Sequence, residues 1–219
     1  MRASLLLLVC LMLASPAWAR TILHLSDTEN VSVPPDTLVA TLRAEASAPT
    51  ASAAQEQVNA AIKAAAGRID QVGGVKAQTQ GYTAWQPKQQ GAWEASQSIE
   101  LSSSAGPPLL ALIGQLQQSG LAISNLDWQL SPAAFRAAQD RATTVALGRL
   151  RQKAEAAAQT LGLRFDSFER VDIATPDFMP VPRMMAMAAA APTPPTAIAQ
   201  DVPVSATAMA DAVLVAPGP

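Results

Sequence analysis

Apolar positions recur with helical spacing in three stretches of the chain. Over residues 50–72, Val58, Ile62, Ala65, Ile69 and Val72 step by 4, 3, 4 and 3, which predicts one face of a helix. Ser52 followed by Gln55 offers a capping box near its start, and Gly73-Gly74 supplies residues that end it in the left-handed conformation. Pro107-Pro108 opens a shorter helix with Leu109, Leu112, Ile113 and Leu116 on its apolar face, closed by Gly120. Ser131-Pro132 begins the longest one, a side-chain cap followed by proline at the first helical position. Phe135, Ala138, Ala142, Ala146, Leu150, Ala154, Ala157 and Leu161 step by 3 or 4, so the helix spans about residues 131–161, with Gly162 as its stop. Its opposite face carries Arg136 with Asp140 and Arg151 with Glu155, read as solvated pairs four residues apart. A stripe made mostly of alanine implies a flat partner close by.

The rest of the pattern has period two. Residues 21–45 read as two strands around Pro34-Pro35-Asp36, which suggests a hairpin, and residues 75–86 and 92–103 read as a second hairpin. Leu126, Trp128 and Leu130 alternate as another strand, followed by residues 165–173. Residues 175–201 turn to proline, alanine and methionine and cannot hold a long regular element. Val204, Ala206, Ala208, Ala210, Ala212 and Leu214 then share one face of a late strand over 202–215. The expected fold is α+β: a hairpin-rich mixed or antiparallel sheet packed on two or three helices, one long, with a C-terminal strand. In domain terms this is a core over 20–174, a linker over 175–201 and a closing strand of the same domain over 202–215.

The N-terminus changes the arithmetic. Arg2, the apolar run of residues 5–14 and Ala17-Trp18-Ala19 make a secretory leader with cleavage after Ala19. A lipoprotein signal would need a small residue before the cysteine, where Val9 precedes Cys10. Without residues 1–19 the chain has 14 basic and 17 acidic side chains, net −3, and no cysteine. Disulfides and thiol chemistry are then excluded, and no positive excess exists to neutralise nucleic-acid phosphates. No later apolar run reaches the ~20 residues of a membrane-spanning helix. The expected location is the periplasm, with secretion or outer-membrane association as variants of it.

Candidate chemistry is sparse. His24 is the one histidine of the chain and reads as an ordinary strand side chain. Asp27 and Glu29 share a strand face and read as solvated rather than as an acid–base pair. Met179, Met184, Met185, Met187 and Met209 are the five methionines beyond the leader. Thioethers are soft copper ligands, so the Met179–Met187 run raises copper binding or oxidant buffering, against adaptable apolar packing. Trp85 and Trp93, with Tyr82 nearby, flank the second hairpin loop and read as a cross-strand aromatic pair. No phosphate loop, nucleophile elbow or acidic metal cluster occurs. No residue is therefore assigned to catalysis, a cofactor or a metal, and a non-enzymatic role is expected.

Several stretches together resemble the SIMPL family of exported bacterial proteins, also called DUF541. They are Val31-Ser32-Val33-Pro34-Pro35-Asp36-Thr37, Glu94-Ala95-Ser96-Gln97-Ser98-Ile99, Leu130-Ser131-Pro132, Lys153-Ala154, Leu161-Gly162-Leu163, Met184 to Ala190 and Val204-Ser205-Ala206. Their order and spacing along nearly the whole mature chain carry the resemblance. It departs from the usual glycine-rich first strand at Ser26-Asp27-Thr28-Glu29-Asn30. The resemblance implies an α+β fold in a periplasmic or envelope protein, with members linked to oxidative-stress tolerance and at least one ring-like or channel-like oligomer. It implies no catalytic residues. The expected function is an interaction or self-assembling scaffold protein, with itself as partner and other envelope proteins as further ones.

Overall fold

The computed structural model describes residues 20–87, 91–176 and 195–217. The leader, loop residues 88–90 and most of the Pro/Ala/Met segment lie outside the described residues. Those described form β1 (Thr21–Val33), β2 (Thr37–Ala48), α1 (Ala51–Ile69), β3 (Lys76–Trp85), β4 (Trp93–Ser103), α2 (Gly106–Gln118), β5 (Ala122–Gln129), α3 (Pro132–Thr160), β6 (Arg164–Ala174) and β7 (Val202–Val215). The class is α+β, as expected. The strands divide between two antiparallel sheets, ordered β1-β7-β6 and β3-β4-β2-β5. Two compact units result, one from the described residues of Met1–Val31, Gln139–Pro176 and Ser205–Pro219, the other from those of Ser32–Ala138 and Asp177–Val204.

In the larger unit, alternate residues of β2 (Leu38, Ala40, Leu42, Ala44) and of β4 (Ile99, Leu101) are buried against α1 and α2. The 3–4 spacing read from α2 meets that face: Leu109, Leu112, Ile113 and Leu116 are each at most 1% exposed. Burial of this kind contributes roughly 1.5–3 kcal/mol per side chain. Both α2 and α3 end in a Schellman motif. At α2, Gly120 N donates to Gln117 O and Leu121 N to Leu116 O, with Gly120 at φ +95°. At α1 the capping prediction was off by two residues: Thr50 caps the helix, accepting from Ala53 N at 3.2 Å, while Ser52 Oγ donates to Glu56.

The first expected hairpin is not one. β1 and β2 lie in different sheets. Two-residue hairpin turns need positive φ at a central residue, and proline holds φ near −65°, so Pro34-Pro35 does not close one. Asp36 then ties this crossing to the start of α3. Its carboxylate accepts from Ser131 N at 2.6 Å and Ser131 Oγ at 2.7 Å, while Ser131 Oγ itself caps the helix by accepting from Ala134 N at 3.1 Å. Two of the stretches that carry the family resemblance are thus bonded to each other.

Burial acting alone would raise the Asp36 carboxyl. Hydrogen bonds from the Ser131 hydroxyl and amide, the Thr37 hydroxyl and its own amide outweigh this and hold it below the ordinary 3.8. A carboxyl lowered by folding contributes stability that is present above its unfolded value and lost as pH falls through the folded one. Asp36→Ala should therefore cost about 1 kcal/mol at neutral pH, the lower part of the capping range because the residue is exposed. The deficit should shrink as the pH drops below 3.8, which urea unfolding of both proteins across pH will show.

In the smaller unit β7 is the central strand. Ala206, Ala208, Ala210 and Ala212 alternate on its covered face, at 0–4% exposure. On α3, Ala142, Ala146, Leu150, Ala154 and Ala158 are buried, with Ala146 and Leu150 packed with Ala208, Ala210, Leu25, Leu147 and Phe168. The flat partner implied by the alanine stripe is this protein's own sheet. The stripe is thereby consumed inside this unit. It also ends at Ala158, since Leu161 is 57% exposed. Arg151 pairs with Glu155 at 2.9 Å as expected, but Arg136 Nε turns back to Pro132 O at 3.0 Å instead of to Asp140.

The sheet edges differ in regularity. On β3 the register slips between Gln80 and Thr83, on β5 Ser124 is the extra residue between Ile123 and Asn125, and on β6 Asp166 and Glu169 are extra. An added residue of this kind bends the strand and breaks the ladder it offers to a neighbour. β1 differs from these. His24 meets Asp211 and Thr28 meets Thr207, four residues apart on each strand, so no residue is added between them.

Candidate functional site

The uncovered face of the three-stranded sheet gathers the most chemistry. β7 presents small residues to α3 on one face, and its alternate positions Met209 and Asp211 therefore point to the other. Antiparallel pairing sets Arg170 opposite Asp211 and Asp172 opposite Met209. From the other flank His24 Nδ1 lies 2.6 Å from Asp211 Oδ1. His24, Ser26, Arg170, Asp172, Met209 and Asp211 line one shallow depression.

The electrostatics follow from this row. Arg170 Nε donates to Asp172 Oδ2 at 2.6 Å, and Asp172, with a smaller contribution from Asp211, holds the guanidinium above its ordinary pKa. With the Asp211 carboxylate as acceptor, His24 Nδ1 is the donor, and Nε2 is the ring nitrogen outside that bond. The imidazole is 80% exposed and the Asp211 carboxylate 30%. Ser26 is two positions along the same strand face, but no hydrogen bond joins its hydroxyl to His24. The arrangement can present a fixed imidazole, a thioether and carboxylates to a ligand from solvent. Nothing in the sequence marked Asp211, Arg170 or Asp172 for this, because His24 and Asp211 are 187 residues apart.

The other candidates fall elsewhere. Asp27 and Glu29 are not solvated as their sequence context suggests. Both lie on the face of β1 turned toward α3, with side chains only 10% and 18% exposed, paired to Lys153 and Arg149. Lys153 Nζ also donates to Ser26 O at 3.0 Å, while Asp27 Oδ2 is buried without a hydrogen-bond partner. Alternation along β1 puts them inside, and spacing alone could not say which face α3 would cover. The tryptophans are not a cross-strand pair: Trp85 stands opposite Glu94 and is 39% exposed, while Trp93 packs on the core of the larger unit. Met179, Met184, Met185 and Met187 lie outside the described residues.

Among the described residues, no three His, Cys, Asp or Glu side chains converge as metal ligands, and no helix is long and apolar enough to cross a membrane. No curated protein matches the chain. The match to a family model is extensive: it covers residues 23–212, from the strand bearing His24 through the buried row of β7, and on that span the chain belongs to the SIMPL family, described as a protein of unknown function (DUF541).

Proposed function

We propose that this is an exported, non-enzymatic scaffold protein of the periplasm that assembles with copies of itself through β1. The leader read in residues 1–19 supports export. The observation that carries self-assembly is the contrast among sheet edges. β3, β5 and β6 each carry an added residue, whereas β1 keeps one register from His24 to Thr28. Strand addition needs a row of backbone groups held in one register, and bulges are the usual protection against it. Along β1 the Ser26 carbonyl accepts from Lys153 Nζ at 3.0 Å, a contact that an added strand displaces. With the other edges interrupted, the same edge serves both partners, so the pairing is β1 against β1 about a twofold axis.

The test is the absolute mass of the exported protein by size exclusion with light scattering across a concentration series. An even number of subunits is expected. Ile22→Lys with Ser26→Lys changes only exposed positions and places like charges across the twofold, so it should yield monomers that stay folded by circular dichroism. A wild type that is monomeric at every concentration, or an assembly that survives both lysines, overturns the reading.

A further inference from the structure

We infer that the open face of the three-stranded sheet holds one soft monovalent metal ion, of which Cu(I) is the biological representative, between His24 Nε2 and Met209 Sδ. The inference stands independently of β1 pairing, because it uses side chains on the face and not the backbone edge.

Three features converge on it. The first is the orientation of the imidazole. A carboxylate on Nδ1 is the partner that metal-binding histidines use to fix the ring and raise the basicity of the other nitrogen, and Asp211 occupies that position at 2.6 Å. The second is Met209. It is 43% exposed, and the side chains nearest it across the strands are Ser26 and Asp172, so burial does not account for a thioether there. The third is register. His24 meets Asp211 and Thr28 meets Thr207, which sets Ser26 opposite Met209 and makes His24 and Met209 diagonal neighbours on one face. Diagonal neighbours on paired strands lie roughly 7–8 Å apart at the backbone, within reach of two long side chains closing on one ion.

The donor set selects the metal. Hard and borderline divalent ions ask for three or more oxygen or nitrogen ligands, and no such group converges among the described residues. An imidazole with a thioether is a soft pair suited to Cu(I). The surrounding charge agrees. Asp172 and Asp211 stand against Arg170 alone, and Asp172 already engages that guanidinium.

The experiment exploits the single histidine of the chain. Ag(I), a redox-silent mimic, is titrated into the isotope-labelled exported protein while the His24 ring nitrogens are followed by NMR, and Cu(I) affinity is measured by competition with a chromogenic chelator. Silver should shift Nε2 and leave Nδ1 bonded to Asp211. Met209→Leu and His24→Gln should each weaken Cu(I) binding at this site at least tenfold, and Asp211→Asn about tenfold through loss of the orienting carboxylate. All titrations are repeated in a background with Met179, Met184, Met185 and Met187 changed to leucine, which removes binding by that run. An Nε2 resonance unmoved by silver overturns the inference, as does Cu(I) affinity in that background unchanged by Met209→Leu.

Discussion

Replacing Lys153 with methionine should destabilise the protein by about 3 kcal/mol, far more than an ordinary surface lysine is worth. Its partner explains the difference. Asp27 is only 10% exposed beneath α3, one of its oxygens is already without a hydrogen-bond partner, and Lys153 supplies the ion pair to the other. Taking Lys153 away leaves a buried carboxylate facing the methionine's thioether, the situation in which removing one partner is costly. The lysine is 49% exposed, so water recovers part of the loss and the lower end of the usual 3–5 kcal/mol applies. Asp27→Leu combined with Lys153→Met should return to within about 1 kcal/mol of wild type, because a matched apolar pair carries no charge to desolvate. Urea midpoints of the four proteins at constant slope make the comparison. A double variant as unstable as the single lysine change would show that Asp27 is not the cause.

How far the sequence foretold this architecture depends on whether the relevant physics is local. The spacing of Leu109, Leu112, Ile113 and Leu116, the cap at Ser131 and the alternation from Val204 to Leu214 are all realised, because each is decided within a few residues. The destination of β1 is not local. Thr21–Val33 pairs with a strand almost two hundred residues later instead of with its neighbour β2, and no pattern inside β1 encodes that choice. The same non-locality hid the face where His24, Met209, Arg170 and Asp211 meet, since three strands from both ends of the chain must first be assembled. It also turned Asp27 and Glu29 inward. Their polar neighbours Ser26, Thr28 and Asn30 look alike in sequence, yet alternation puts those on the open face and the two carboxylates under the helix.

Ala146→Leu should be the other strongly damaging change, at about 3 kcal/mol, the upper end for overpacking a tight core. Ala146 is fully buried and packs with Ala208 and Ala210, so helix and sheet meet here through methyl groups. Side chains that small set a short interaxial distance, and three added carbons can be housed only by lifting α3 or straining Leu150 beside it. Lifting α3 would also pull Lys153 and Arg149 from Asp27 and Glu29, so the cost is shared between packing and ion pairs. In a chain of this length the expected fall in melting temperature is on the order of 10 °C. Ala156→Leu, the same chemistry at an exposed position of the same helix, should stay within about 0.5 kcal/mol of wild type. A well-tolerated Ala146→Leu would mean that α3 does not ride close on the sheet. The oligomeric mass of the Ala146→Leu protein below its transition separates two roles for the alanine stripe. Since the stripe is used up inside the unit, protein that remains folded should keep the wild-type subunit number, whereas a contact surface made of that stripe would lose it.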